Sequence, residues 1–112
     1  MNILVKKIIQ KVNEMVSEKE VMDSLKTVLD PEIGINIVDL GLIYGIEIRE
    51  KSVKVKMTLT MPGCPMSEYL VESAKNAVSK IAGLEKIEID LVFDPPWNPE
   101  KISAEAKKSL GF

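Results

Sequence analysis

Cys64 is the single cysteine of the chain and stands in the run Thr60-Met61-Pro62-Gly63-Cys64-Pro65. The residues before it alternate as in a strand and those after it follow a helical stripe, so Cys64 falls where a strand ends and a helix begins. Unpaired backbone N–H groups and the helix dipole favour an anion there, and therefore thiolate over thiol. Gly63 admits close approach of a ligand to the backbone, Pro62 stiffens the entry, and Pro65 suits a first helical turn, where its missing N–H matters least. The other reading is an ordinary small buried cysteine, as most lone intracellular cysteines are. With no histidine in the chain, Cys64 has no His base and no Cys/His zinc site can form. One thiolate does not complete a four-ligand cluster site, so a metal on Cys64 needs a second protomer, a partner protein or oxygen ligands. Covalent thiol catalysis needs an activating base, and the expectation is that the chain is not an enzyme.

Oxygen ligands are at hand in sequence. Asp30, Glu32 and Asp39 flank the loop that precedes the strands, and carboxylates near a thiolate bind metal or shuttle a proton. Equally, Asp30 serves as a cap at a helix exit and Asp39 as a turn residue before Gly41, by local hydrogen bonding. Thr60 ends a strand just before the cysteine; its hydroxyl reaches the sulfur or sits on the solvated face. Trp97, the only tryptophan, covers either the site or the core.

The elements that must position these residues follow from pattern. Ile3, Leu4, Ile8, Ile9, Val12, Met15 and Val16 recur at helical spacing with Lys7, Lys11 and Glu14 between them, predicting an N-terminal amphipathic helix that packs on its own domain or on a partner. Ser17-Glu18-Lys19-Glu20 is a capping box that starts a second helix. Its buried stripe is Val21, Met22, Leu25, Val28 and Leu29, and Asp30-Pro31 stops it. Residues 31 to 42 hold no sustained period and read as an ordered loop on the core. Ile43 to Arg49 and Val53 to Thr60 read as an antiparallel hairpin around Glu50-Lys51-Ser52, with Val53, Val55, Met57 and Leu59 inward and Lys54, Lys56, Thr58 and Thr60 outward. Met66, Leu70, Val71, Ala74, Ala77, Val78 and Ile81 trace a long helix capped at Gly83. A strand with Ile87, Ile89, Leu91 and Phe93 inward then returns, and the strand-helix-strand unit pairs it in parallel. Asp94 to Pro99 is too proline-rich for regular structure, and Ser103 to Leu110 reads as a short closing helix. The expected fold is a small single α/β (α+β) domain: a mixed three-stranded sheet, an antiparallel hairpin plus a parallel strand reached through a crossover helix, with helices on one face and the additional N-terminal helix. Residues 1–16 form that helix and 17–112 the domain.

Composition narrows the function classes. The chain has 112 residues, 46% hydrophobic and 29% charged, which suits one compact core. Fifteen Lys and Arg against 17 Asp and Glu leave a net charge of -2, with no global positive field for nucleic acid or an anionic membrane. No apolar run approaches the roughly 20 residues of a membrane span, and Lys6, Lys7, Gln10 and Lys11 interrupt the N-terminal apolar residues, so a soluble, cytoplasmic protein is expected.

Three ordered segments, Asp30-Pro31-Glu32-Ile33-Gly34 with Ile37 to Tyr44, Thr58 to Pro65, and Phe93 to Pro99, resemble together the SufT-like and PaaD-like family of metal-sulfur cluster assembly proteins. The resemblance covers about residues 17 to 112. It implies a role in iron-sulfur cluster maturation or delivery, with Cys64 as functional thiol and metal or cluster ligand. By position it implies site surroundings at Asp30, Glu32, Asp39, Thr60, Met61, Gly63 and Trp97. Many relatives carry a second threonine where this chain has Met61, so no hydroxyl is supplied there. The implied cargo is transient iron or an iron-sulfur cluster, and the implied partners are iron-sulfur carrier or recipient proteins. A homodimer pairing two Cys64 sulfurs would supply two thiolates to a bridging cluster. Two other functions compete: a non-metal adaptor that recruits client or carrier proteins, and an accessory to a phenylacetate-type oxygenase.

Overall fold

The computed structural model describes residues 16–61 and 65–111. The expected N-terminal helix over residues 3 to 16 lies outside the described residues but for its last residue, Val16, which is not helical. The chain enters at buried Val16 and forms α1 (Glu18–Leu25), β1 (Ile43–Arg49), β2 (Ser52–Met57), α2 (Ser67–Ser79), β3 (Lys86–Leu91), a 3-10 turn (Pro99–Lys101) and α3 (Ala104–Leu110).

The capping box at α1 is formed in both directions. Ser17 Oγ accepts from Glu20 N at 3.1 Å, and Ser17 N donates to Glu20 Oε1 at 3.3 Å. The helix is shorter than its apolar stripe suggests, and Leu29 is 51% exposed rather than buried. Thr27 is the reason: its N–H and its hydroxyl both donate to Ser24 O, at 3.1 and 2.7 Å, closing a tight turn. The chain then runs extended, with Ile37 N donating to Val28 O at 3.0 Å and Leu29 bridged to Asn36.

The sheet order is β1-β2-β3, with β1 antiparallel and β3 parallel to β2, the mixed topology expected. Val53, Val55 and Met57 point into the core beneath α1 and α2, while Lys54 faces outward and its Nζ lies 3.8 Å from Glu88 and 3.9 Å from Asp90 on β3. One face of the sheet is thus apolar and covered by helices, and the other is charged. Ser24 Oγ donates to Ala77 O at 2.6 Å, tying α1 to α2.

Three further boundaries differ from the pattern. β2 ends at Met57 rather than Thr60, and Thr58 is fully buried instead of facing solvent. Met57, Thr58 and Leu59 are buried in succession, so both faces are covered at this end. α2 closes at Ser79 with Lys80 as C-cap, and Gly83, at φ +95°, shapes the later turn into β3. β3 stops at Leu91, leaving Phe93 38% exposed beyond the strand. The closing helix is present, Ser103 Oγ accepting from Ala106 N at 3.1 Å as its N-cap.

Candidate functional site

The three segments singled out in sequence meet at one end of the sheet. Thr58 N donates to Leu42 O at 2.8 Å, joining the end of β2 to the loop before β1. Val92 N donates to Met57 O at 2.8 Å, joining the same strand to the proline-rich loop. Trp97 Nε1 of that loop donates to Leu40 O at 2.7 Å, and Ser103 N, four residues past the loop, donates to Asp39 O at 2.7 Å. Tyr44 Oη donates to Pro95 O at 2.8 Å, and Lys101 Nζ sits 5.2 Å from the Tyr44 ring centroid. The framework of this end is therefore mostly backbone, closed by one indole and one phenol.

Pro62, Gly63 and Cys64, the centre of the expected site, lie outside the described residues. The structure describes what flanks them. Thr60 is half-buried, Met61 is 60% exposed, and Met66 packs on the core as the residue before α2. Met66 makes no side-chain capping bond, whereas Ser17 and Ser103 cap the other two described α-helices. The first-turn N–H groups of α2 thus lack the serine cap present elsewhere, at the helix end that follows Cys64 in the chain.

Two of the three carboxylates, Asp30 and Asp39, are engaged in their own loops. Asp30 is 8% exposed; its Oδ1 accepts from Glu32 N at 2.9 Å and its carbonyl accepts from Gly34 N at 2.7 Å. Asp39 Oδ2 accepts from Asn36 Nδ2 at 2.8 Å while Asn36 Oδ1 accepts from Asp39 N at 2.9 Å, a reciprocal pair that fixes the turn. Glu32 is exposed. Among the described residues, no three acidic or thiol side chains are grouped to hold a metal ion. Trp97 is half-buried against the core and anchored on the loop that carries Asp39.

Thr58 is a residue that sequence pattern alone did not mark for the site. Its Oγ1 is buried with no hydrogen-bond partner among the described residues, at the junction of all three segments. A signal was present: the outward positions of β2 run Lys54, Lys56, Thr58, Thr60, and the change from lysine to threonine marks where the second face becomes covered. Asn36 and Tyr44 were also missed, because their partners are set by turn geometry and by a loop 51 residues away.

A family model described as iron-sulfur cluster assembly protein matches residues 18–91. An Fe-S protein maturation auxiliary factor of Porphyromonas gingivalis is 41% identical over 97 residues, 86% of this chain and 92% of that protein. The Fe-S protein maturation auxiliary factor SufT of Staphylococcus aureus is 40% identical over 85 residues, 75% of this chain and 97% of that protein. The crystal structure of a domain of unknown function from Bacillus anthracis superposes with a TM-score of 0.80 at 35% identity, covering 85% of this chain and 92% of that one.

Proposed function

We propose that this chain, which belongs to the family of iron-sulfur cluster assembly proteins, is an auxiliary factor that assembles clusters or delivers them to recipient proteins, with Cys64 as the ligand or transfer residue. The observation that carries the reading is the near full-length similarity to maturation factors, 41% identical over 92% of one such protein. The convergence of all three segments on the end of the sheet from which the Cys64 loop departs supports it.

The chemistry fits transfer better than storage. A lone thiolate holds iron or a cluster only with ligands from elsewhere, and exchange of those ligands is what passes cargo to a recipient. Asp30 and Asp39 are committed to fixing their own turns, while exposed Glu32 is the carboxylate left for cargo. The protein acts in the cytoplasm and by binding rather than turnover. Among the described residues, no helix is long and apolar enough to cross a membrane.

The test is anoxic reconstitution with iron and sulfide followed by transfer to an apo-ferredoxin, read by visible absorbance and iron content. Cys64→Ala should abolish transfer while leaving the far-ultraviolet circular dichroism unchanged. Transfer by Cys64→Ala at the wild-type rate would remove Cys64 from the mechanism. Binding of recipient without iron in either protein would instead favour the adaptor reading, which the exposed Met61 and Tyr69 on either side of the cysteine segment support.

A further inference from the structure

β3 is an open edge of the sheet. Among the described residues nothing pairs with the backbone of Ile87 to Leu91 on the side away from β2. Such an edge is a template for another strand unless something covers it. Beside it lies a groove of about 450 Å³ between α2 and the end of β3, with Val71 and Leu91 as apolar lining and Ser67, Glu68 and Glu72 around them. Leu91 is 36% exposed although it is paired in register with fully buried Met57, so α2, which packs along β3, leaves the end of the edge strand partly bare.

The charges here have one sign. Glu68 and Glu72 are exposed, four residues apart on one helix, and take part in none of the described ion pairs. Like charges at this spacing destabilise a helix slightly. On the opposite face of the edge strand stand Glu88 and Asp90, with Lys54 between them as the sole described cation paired to either. An antiparallel second copy centred on Glu88 would set Glu88 against itself and Lys86 against Asp90, and one centred on Ile89 would set Glu88 against Asp90. A second copy thus meets mixed charge, where a segment rich in lysine or arginine meets only opposite charge on Glu88 and Asp90.

We propose that the β3 edge and its groove receive an extended segment of a recipient protein that carries an apolar side chain flanked by lysine or arginine. The apolar side chain fills the space against Val71 and Leu91, the basic residues meet Glu68 and Glu72, and the segment's backbone pairs with β3. The groove's helix is the one that follows the Cys64 loop, so the docked segment lies on the element next in chain to the transfer residue. The proposal rests on the delivery reading for its partner, but the docking itself does not use Cys64.

The experiment uses the isotope-labelled full chain and a short acetylated, amidated peptide of alternating valine and lysine, followed by amide chemical shifts. Shifts at Ile87 to Leu91 and Val71 are expected, with affinity falling about tenfold or more in the double variant Glu68→Lys/Glu72→Lys, since like-charge juxtaposition at an interface is strongly unfavourable. Methylating alternate peptide nitrogens should abolish binding by blocking strand pairing, and Cys64→Ala should leave it unchanged. Both glutamates are exposed, so the double variant is expected to keep its fold. Shifts confined to the outer face around Glu47 and Arg49, equal binding of the methylated peptide, or the same edge shifting on simple concentration of the protein, which marks a second copy or residues 1 to 15 as occupant, would each overturn the proposal. Loss of Cys64-dependent transfer with peptide docking intact would count against the delivery reading alone.

Discussion

Gly41 lies directly against the backbone of Lys101, so that a Cβ at position 41 would collide with it, and Gly41 also sits at φ +78°. This contact presses the loop before β1 onto the segment after the proline-rich loop, beside the Trp97–Leu40 and Ser103–Asp39 bonds. Gly34 has the same φ, but a Cβ there would meet nothing within 4 Å. The two glycines separate strain from collision. Gly34→Ala is expected to cost about 1 kcal/mol from the left-handed backbone alone. Gly41→Ala should cost at least about 2 kcal/mol more, because backbone must also move. Denaturant midpoints at unchanged slope would check this, and equal losses would show that the Lys101 contact yields freely.

Trp97 holds the proline-rich loop through one hydrogen bond to Leu40 O and through packing on the core. Trp97→Phe keeps most of the ring and deletes the donor. The expected loss is about 1–2 kcal/mol, the cost of leaving a part-buried carbonyl unpaired. Trp97→Ala also removes the packed area and should lose about 3–5 kcal/mol at most, less for a half-buried ring. A Phe variant as stable as wild type would mean that water replaces the indole.

Thr58 presents the opposite case, a buried hydroxyl without a described partner. Thr58→Val has nearly the same shape and removes the desolvated oxygen, so it should be neutral or up to about 1 kcal/mol stabilising. Measured beside cluster transfer, it also reads function. Destabilisation by more than about 1 kcal/mol would show that the hydroxyl has a structural partner after all.

What was legible in the sequence was legible locally. The Ser17–Glu20 box needs only residues three apart, and it starts α1 as expected. The alternation of Val53, Val55 and Met57 against Lys54 and Lys56 gives the faces of β2, and Ile87 and Ile89 take the matching face in parallel register. Local pattern failed where distant segments intervene. Periodicity of two places Thr58 outward, yet closure by segments before β1 and after β3 buries both faces there. The helical stripe through Val28 and Leu29 was broken by Thr27, whose hydroxyl competes for the Ser24 carbonyl. At the site, the motif order was visible, but the Trp97–Leu40 bond spans 57 residues and no local pattern encodes it.

Met61 and Tyr69 bracket the cysteine segment in the chain and are 60% and 52% exposed. Large apolar side chains held out in water, near in sequence to the proposed transfer residue, are suited to contact a partner, and their burial on docking would stabilise the complex. Because neither is buried in the free protein, Met61→Ala and Tyr69→Ala should change stability by less than about 0.5 kcal/mol. Cluster loading, which the proposed function assigns to Cys64, should be unchanged in both. Transfer to a recipient should slow, with the double variant falling about thirtyfold if each ring or thioether contributes roughly 1 kcal/mol to the interface. The decisive measurement is the ratio of transfer rate to loading yield. A fall in loading would assign these side chains to the cluster itself, and no fall in either would place the recipient's contact elsewhere on the surface.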